Sequence, residues 1–430
     1  MMKTILLTLL LMSTSAFSGN IEMVKGMNLT ELGNFKYDAA KAGEAKTDAQ
    51  IAVDQIYDLG ARHVVLNPTA TMINPRGNEV IPSTMARDRS LERMRYKRLI
   101  SYIKDKGMTV GLRPIFFVVR ADGTFPYREV GPQGQEKIWW HGNIQPSDPN
   151  RWFASFKAYL DSYILIAKMN QVEEFTVGAE LYSMTVGIED QWKEHPFGFP
   201  LKWLELTRYV RQKLGENVRI MYDINFTDDS VSGSGDLSAM GGELERWRYR
   251  LVDLARPTDP AEYQTWSDLV DFWNELDAIG IDMYRSLASK RDILPNDFEA
   301  LTQLLQTRAD EYALQLDTTL AEIEFITERP QMMIFKEAGF RSVDKGFINP
   351  FEYETGAGEY NEIHQAASYE AIKRAFWEVG FYWFQGGSFW DVSVSPMRNS
   401  GVGDTGFSPV GKPLTTSVMQ SLFAIEYTAQ

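Results

Sequence analysis

The 430-residue chain contains no cysteine, which excludes disulfide bonds, thiolate nucleophiles and cysteine-based metal sites. Histidine is also scarce: there are four, and none stands in a metal-ligand spacing such as HExxH. The GxSxG pattern of serine α/β-hydrolases is missing too, because Ser232 occupies the first glycine position in the nearest segment, Ser232-Gly-Ser-Gly235. These absences disfavour metallohydrolase and serine-hydrolase chemistry, and we expect no metal or organic cofactor.

Basic residues are fewer than acidic residues, 44 against 58, which gives a formal net charge of −14. Binding to nucleic acid or to an anionic membrane surface is therefore disfavoured. Aromatic residues, in contrast, are abundant, with 11 Trp, 19 Tyr and 24 Phe. Part of this set belongs to the core, but a surplus of tryptophan suits a cleft that stacks on sugar rings. We expect an oligo- or polysaccharide partner and a monomeric protein.

Long apolar runs are absent after the first residues of the chain. Residues 1–18 have the pattern of a secretory signal peptide, with Lys3, the apolar run 5–12 and the small-residue site Ala16-Phe17-Ser18. The apolar run is shorter than the ~20 residues that span a bilayer. The alternatives are an uncleaved anchor and a buried first helix. We expect an exported protein, secreted or periplasmic, with no membrane insertion after signal cleavage.

Residues 19–430 show strands that alternate with helices. The strand segments are continuously apolar, as in a parallel sheet whose two faces are both covered. Eight such strands without an internal repeat predict a single-domain (β/α)8 TIM barrel with inserted loops. Segment 122–149 is predicted as a polar loop, and segment 227–266 as an inserted loop with a short helix near 243–254. The predicted strands cover residues 24–29, 62–67, 108–114, 174–180, 218–225, 276–284, 332–337 and 387–392.

Two of these predicted strands end in a glutamate, Glu180 on the fourth and Glu337 on the seventh. The carboxyl ends of barrel strands are where TIM-barrel enzymes hold their catalytic groups. Two facing carboxyl groups are what retaining glycoside hydrolysis needs, with ~5–5.5 Å between them. We assign Glu337 as nucleophile and Glu180 as acid/base. We expect burial and neighbouring negative charge to raise the pKa of Glu180, and hydrogen bonds to keep Glu337 ionised. The alternative is that either glutamate is a solvated or ion-paired residue.

Other polar and aromatic residues are predicted to line the same cleft. Tyr284 is a candidate hydrogen-bond donor to Glu337, or an ordinary strand-end tyrosine. Arg113 would steady the nucleophile or pair with another acid, and Trp390 would form the floor of the sugar site or pack in the core. Trp140 and His141 would wall the cleft or pack on a surface loop. The remaining candidates for substrate binding stand at strand ends and are Asn67 and Asn225.

Several segments resemble glycoside hydrolase family 113. They include Trp140-His-Gly-Asn-Ile, Phe175-Thr-Val-Gly-Ala-Glu-Leu181, Ile279-Gly-Ile-Asp-Met-Tyr284, Lys336-Glu-Ala-Gly-Phe-Arg-Ser342 and Gly386-Gly-Ser-Phe-Trp390, in order across residues 22–425. The resemblance implies a retaining clan A (β/α)8 enzyme of a family known mainly for β-mannanases. It also implies Glu180 as acid/base and Glu337 as nucleophile, in agreement with the assignment from the residues.

The chain departs from the pattern at two positions near these glutamates. Ala179 stands where the wider clan commonly has an asparagine that touches the sugar 2-hydroxyl. Phe226 stands where the family tends to have tryptophan. We therefore expect a retaining β-glycosidase with β-mannan as the first substrate. The alternatives are another β-glycan, such as a glucan or a cell-envelope glycan, and a non-catalytic barrel that binds carbohydrate.

Overall fold

A computed structural model describes residues 23–31, 43, 45–83, 89–134, 136–188, 191–227, 242–351, 358–394 and 400–426. The predicted signal peptide, residues 1–18, lies outside these ranges. Across the described ranges, no helix combines the length and the apolar character needed to cross a membrane.

Within the described ranges, eight parallel strands close into a barrel, which confirms the predicted (β/α)8 fold. Each strand pairs with its neighbours in the chain, and the eighth pairs with the first. The strands are β1 (Val24–Thr30), β2 (His63–Leu66), β3 (Thr109–Leu112), β4 (Glu174–Ala179), β5 (Arg219–Thr227), β6 (Ala278–Tyr284), β7 (Met333–Ala338) and β8 (Phe384–Ser393).

Helices surround the barrel, and several begin where a polar side chain caps the first turn. A capping box begins α1: Thr47 accepts from the backbone of Gln50, whose side chain accepts from the backbone of Thr47. Asp148 and Asp259 cap helices that start with proline. The helices are α1 (Asp48–Asp58), α2 (Arg89–Asp105), α3 (Pro149–Asn170), α4 (Tyr182–Thr185), α5 (Pro200–Leu214), α6 (Glu243–Arg248), α7 (Pro260–Glu275), α8 (Phe298–Thr327), α9 (Glu362–Ile372) and α10 (Pro413–Phe423).

The structure corrects two loop predictions. The polar segment 122–149 contains an antiparallel hairpin, Tyr127–Val130 paired with Glu136–Trp139. The predicted inserted loop 227–266 is shorter than expected, because its last residues belong to α7. Its described part contains α6, near the expected short helix, and one π-helical turn, Tyr249–Asp253. A further small sheet joins Thr69–Ile73, Ile81–Pro82 and Ile115–Val119 outside the barrel.

The barrel interior changes from apolar to charged along its axis. At the amino ends of the strands, a small apolar cluster consists of Val24, Met221, Ala278 and Ile334. Farther along β7, the buried Lys336 forms an ion pair with Glu174, the first residue of β4. Buried charges destabilise a fold unless they are paired and hydrogen-bonded. The pairing continues toward the carboxyl ends of the strands, where the candidate site lies.

Candidate active site

Glu180 directly follows β4 and has a left-handed backbone conformation, with φ of 54°. This conformation costs a non-glycine residue roughly 1 kcal/mol and persists only where the surroundings hold it. Two hydrogen bonds to β5 do so here. The backbone N–H of Glu180 donates to the carbonyl of Asp223 at 2.8 Å, and the N–H of Leu181 donates to the hydroxyl of Tyr222 at 3.0 Å. The fold thereby fixes the direction in which the Glu180 side chain leaves the strand end.

The carboxyl group of Glu180 lies between two polar side chains that were predicted to belong to the site. Asn225 Nδ2 donates to Oε1 at 2.5 Å, and His141 Nε2 lies 3.0 Å from Oε2. The hydroxyl of Thr227 donates to Asn225 Oδ1 at 2.5 Å, which directs the amide N–H group toward Glu180. His141 comes from the short helix that follows the additional hairpin. The prediction that His141 faces the cleft therefore agrees with its contact to Glu180.

Glu337, on β7, is held by two donors from the neighbouring rim. The hydroxyl of Tyr284 donates to Oε2 at 2.7 Å, and Arg113 Nη1 donates to Oε1. Both donors were candidates from the sequence. The side chains of Glu337 and Glu180 retain 13% and 12% of their exposed area. Each is thus well ordered by its neighbours and still reaches a surface that a ligand can approach.

Arg113 connects the two glutamates through carboxylates that the sequence interpretation did not include. Its Nε donates to Asp223 at 2.6 Å and its Nη2 to Asp282 at 2.7 Å, while Nη1 donates to Glu337. The main-chain carbonyl of the same Asp223 accepts from Glu180. A continuous set of contacts therefore runs from Glu180 through Asp223 and Arg113 to Glu337.

Asp223 and Asp282 could have been predicted from the alternation of side chains along a strand, in which every second residue faces the same side. Each stands two residues before a predicted site residue, Asn225 on β5 and Tyr284 on β6. Side chains two residues apart in a strand point to the same face. Inward-facing Asn225 and Tyr284 therefore imply that both aspartates face the barrel interior, where an arginine at another strand end can reach them.

The pKa directions of the two glutamates are the reverse of our expectation. Burial acts to raise the pKa of Glu180, but the hydrogen bond and charge of His141, with Arg113 and Asn225, lower it below its ordinary value. Burial raises the pKa of Glu337, and the negative charge of Glu180 adds to this increase against the opposing effect of Arg113. The charge of each carboxyl group disfavours ionisation of the other, and Glu337 has the higher pKa of the two.

The single positive charge of Arg113 does not balance the negative charges that the three carboxyl groups around it would carry if all were ionised. Burial raises the pKa of Asp282 well above its ordinary range, and the charges of Glu337, Glu180 and Asp223 oppose the effect of Arg113. Burial also raises the pKa of Asp223, by less. Because an isolated buried carboxylate is strongly disfavoured, Asp282 keeps its proton first. A neutral Asp282 leaves more of the guanidinium charge to Glu337.

The other predicted substrate-binding residues lie on the same rim, without a direct contact to either glutamate. Asn67 follows β2, and its Nδ2 donates to Asn28 Oδ1 on β1 at 3.1 Å. The ring of Trp140 packs edge-on against His141, with 4.9 Å between the centroids. Trp390 is half-buried near the end of β8. Their contact with substrate stays a prediction.

The two departures from the expected family pattern differ in their environment. Phe226 is fully buried, its ring packs edge-on against Tyr312 at 6.0 Å, and the Arg285 guanidinium lies 4.9 Å from the ring centroid. This ring is therefore part of the packing behind β5. Ala179 is the last residue of β4, directly before Glu180, and is 5% exposed. Of the two positions, Ala179 is the one directly next to the proposed acid/base in the chain.

The described residues contain no group of three histidine or acidic side chains arranged to bind a metal ion. The carboxylates around Arg113 are directed at its guanidinium nitrogens. This arrangement suits proton transfer and attack by a carboxylate on an electrophilic carbon, since both reactions need only the side chains present.

Comparison with known proteins bears on the family and the fold. A profile of Glycoside Hydrolase Family 113 matches residues 34–232 and 258–412. A solved complex of a family 113 β-1,4-mannanase is similar over 94% of this chain and 99% of that one, with 18% identity and a TM-score of 0.57. A family 113 β-mannanase from Alicyclobacillus acidocaldarius, in complex with ManMIm, is similar over 94% and 98%, with 17% identity and a TM-score of 0.60. No curated protein sequence matches this chain.

Proposed function

The chain belongs to glycoside hydrolase family 113, and on this basis we propose that it is a retaining β-glycosidase that hydrolyses β-mannan. The observation that carries the proposal is the connected pair of strand-end carboxyl groups. Glu180 and Glu337 are joined through Asp223 and Arg113, the charge of Glu180 raises the pKa of Glu337, and their side chains stay 12% and 13% exposed. The double-displacement mechanism requires two such carboxyl groups.

In the first step, Glu337 attacks the anomeric carbon, and a bond forms between that carbon and a Glu337 carboxylate oxygen. The bond from the anomeric carbon to the leaving oxygen breaks, and that oxygen takes the proton of Glu180. Tyr284 and Arg113 hold Glu337 in a fixed orientation for the attack. Fixing the reacting groups in this way removes much of the entropy cost of the encounter.

In the second step, Glu180 takes a proton from water, and the water oxygen bonds to the anomeric carbon as the bond to Glu337 breaks. The product keeps the configuration of the substrate because two inversions occur. Glu180 can act as an acid only while it carries the proton.

The choice of β-mannan as substrate rests on the family and on two similar structures described as β-mannanases. Another β-glycan is the alternative within the enzyme class, because Ala179 lacks the amide that the wider clan commonly has at this position. A third possibility is a barrel that binds glycans without cleaving them. These three alternatives predict different outcomes in a single substrate panel.

The test measures reducing-sugar release by the wild type, Glu180→Ala and Glu337→Ala on purified mannan, glucan, xylan and peptidoglycan. We expect release from mannan by the wild type and a loss of roughly 10³-fold or more in each variant. Glu311→Ala is the control, since this residue is an exposed acid that pairs with Arg308 on α8. NMR of the first product anomer should show retention of configuration.

Other results would change the assignment in defined ways. If the protein cleaves glucan or peptidoglycan in preference to mannan, that glycan replaces mannan as the assigned substrate, and the proposed mechanism is unchanged. Binding without cleavage would favour the carbohydrate-binding barrel. Inversion of the anomeric configuration would refute the roles given to Glu180 and Glu337.

We also propose that the protein is exported and acts as a monomer. Export rests on the signal-like pattern of residues 1–18. Mass spectrometry of the protein recovered from the periplasm or medium should find a new amino terminus near Gly19. Recovery of the protein only from the cytoplasm, with residues 1–18 intact, would refute export.

A further inference from the structure

Glu243 is a buried acid from the inserted segment that reaches the candidate active site. It is the first residue of α6 and is fully buried. Its Oε2 accepts from the backbone N–H of Asn225 at 2.9 Å, and its Oε1 accepts from Trp247 Nε1 at 3.2 Å. Tyr222 is a second β5 side chain that interacts electrostatically with this carboxyl group. The carboxyl group of Glu243 thus links α6 to β5 through the backbone of Asn225.

The two β5 residues that Glu243 contacts are those that hold Glu180. Asn225 donates its amide N–H to Glu180 Oε1, and Tyr222 accepts the backbone N–H of Leu181, the residue after Glu180. One side chain therefore supports both the carboxyl group and the backbone of the proposed acid/base. This support matters because Glu180 has a left-handed backbone, which depends on its surroundings.

We propose that Glu243 is a positioning residue, which keeps Glu180 in its left-handed conformation and orients its carboxyl group through Asn225 and Tyr222. The proposal rests on the proposed function, because it assigns Glu243 to the acid/base of that reaction. Glu243 itself has no contact with the reacting atoms. It acts through hydrogen bonds that fix their neighbours.

The electrostatic surroundings suit a neutral carboxyl group at this position. Burial raises the pKa of Glu243 to about 8, and the charge of Glu180 contributes to the increase. The groups that face it are Glu180, the hydroxyl of Tyr222 and the indole N–H of Trp247, with the carboxyl group of Asp223 beyond Tyr222. A neutral acid can hold Asn225 and Tyr222 without placing a second negative charge beside Glu180.

The experiment compares Glu243→Gln with Glu243→Met in the full-length enzyme, by kcat and KM on the best substrate of the panel. Glutamine keeps an oxygen that accepts from Asn225 and carries no charge, whereas methionine fills the space without an acceptor. Glu245→Gln is the matched control, because Glu245 lies on the same helix and accepts from Gln315 on α8, away from the site. If Glu243→Met does not fold, Tyr222→Phe removes the second polar group on β5 beside Glu243, together with the contacts of that hydroxyl with Leu181 and Thr185.

We expect Glu243→Gln to stay within about fivefold of wild-type kcat and Glu243→Met to fall by about 10²-fold, each with little change in KM. Tyr222→Phe should lower kcat about tenfold. A Glu243→Met or Tyr222→Phe kcat within twofold of the Glu245→Gln value would overturn the proposal. Equal losses in the glutamine and methionine variants would do the same.

Crystal structures of the variants keep the proposal separate from the proposed function. In Glu243→Met, the positive φ of Glu180 and its bond from Asn225 should be lost, whereas Glu243→Gln should retain both. This result is expected even if the wild type cleaves no glycan, an outcome that would refute only the proposed function. An unchanged Glu180 in Glu243→Met would refute the positioning role whatever the activity.

Discussion

The raised pKa of Glu243 predicts a specific pH dependence of stability. Its value of about 8 in the folded protein compares with an ordinary 4.5, so the folded state holds the proton more tightly than the unfolded chain. The free energy of unfolding must therefore fall as pH rises from about 4.5 to about 8, and level off above. At roughly 1.4 kcal/mol per pH unit, the full decrease is about 5 kcal/mol. Relaxation of the buried site makes this an upper value.

Glu243→Gln isolates this contribution, because an amide does not titrate and the other ionisable groups are common to both proteins. Urea unfolding followed by tryptophan fluorescence at pH 5, 6, 7, 8 and 9 should show the wild type losing stability relative to the variant with each step up to pH 8. The lost hydrogen bond from Trp247 adds a constant offset of about 1 kcal/mol, which does not affect the slope.

The pH dependence of the stability difference between wild type and Glu243→Gln tests whether Glu243 is protonated in the folded protein. A difference between wild type and Glu243→Gln that stays flat from pH 5 to 9 would show that Glu243 ionises normally in the folded protein. A difference with the opposite sign would show that its negative charge is stabilised. Either result would refute the description of Glu243 as a buried neutral acid.

Three further predictions concern the contacts around the two glutamates. Tyr284→Phe removes a bond that lowers the pKa of Glu337, the carboxyl group with the higher pKa, so the alkaline limb of the kcat–pH profile should move to higher pH and kcat should fall about 10–100-fold; an unmoved limb would contradict this. His141→Asn removes the largest lowering influence on the pKa of Glu180, the carboxyl group with the lower pKa, so the acid limb should move to higher pH, and a move to lower pH would oppose the reasoning. Arg113→Lys cannot reach all three carboxylates and should destabilise the fold by about 3–5 kcal/mol in urea unfolding, whereas a loss below 1 kcal/mol would show that the network is dispensable.

The ends of the barrel strands were predictable because two simple patterns coincide there. A continuous apolar run marks a buried parallel strand, and a polar residue directly after it marks the rim. This reasoning identified Arg113, Asn225 and Tyr284, whose contacts to Glu180 and Glu337 the structure contains. It did not extend to positions inside the strands, so the aspartates that hold Arg113 were missed.

Segments outside the barrel were predicted less well, since their structure depends on partners distant in the chain. The hairpin before His141 is short and polar, and its pairing has little apolar pattern. The sequence at the start of α7 contains the usual helix-start signals, Asp259 as cap and Pro260 at the first position. The polar composition of 227–266 nevertheless places these first residues in the predicted insertion. The role of Glu243 depends on contact with β5 and could not be inferred from its local sequence.

The apolar pattern of the strands does not predict which of the two glutamates carries a proton. Two glutamates at equivalent strand ends are indistinguishable in sequence, and their ionisation is decided by neighbours from other segments. His141 comes from the short helix after the hairpin and contacts Glu180, whereas Arg113 follows β3, contacts Glu337 and acts to lower the pKa of both glutamates. The direct partner of Glu337 is therefore a guanidinium that stays charged, while the direct partners of Glu180 are an imidazole and an amide. A permanently charged partner suits a carboxyl group that must attack as a carboxylate. This asymmetry between the direct partners is the physical argument for proposing Glu180 as acid/base and Glu337 as nucleophile.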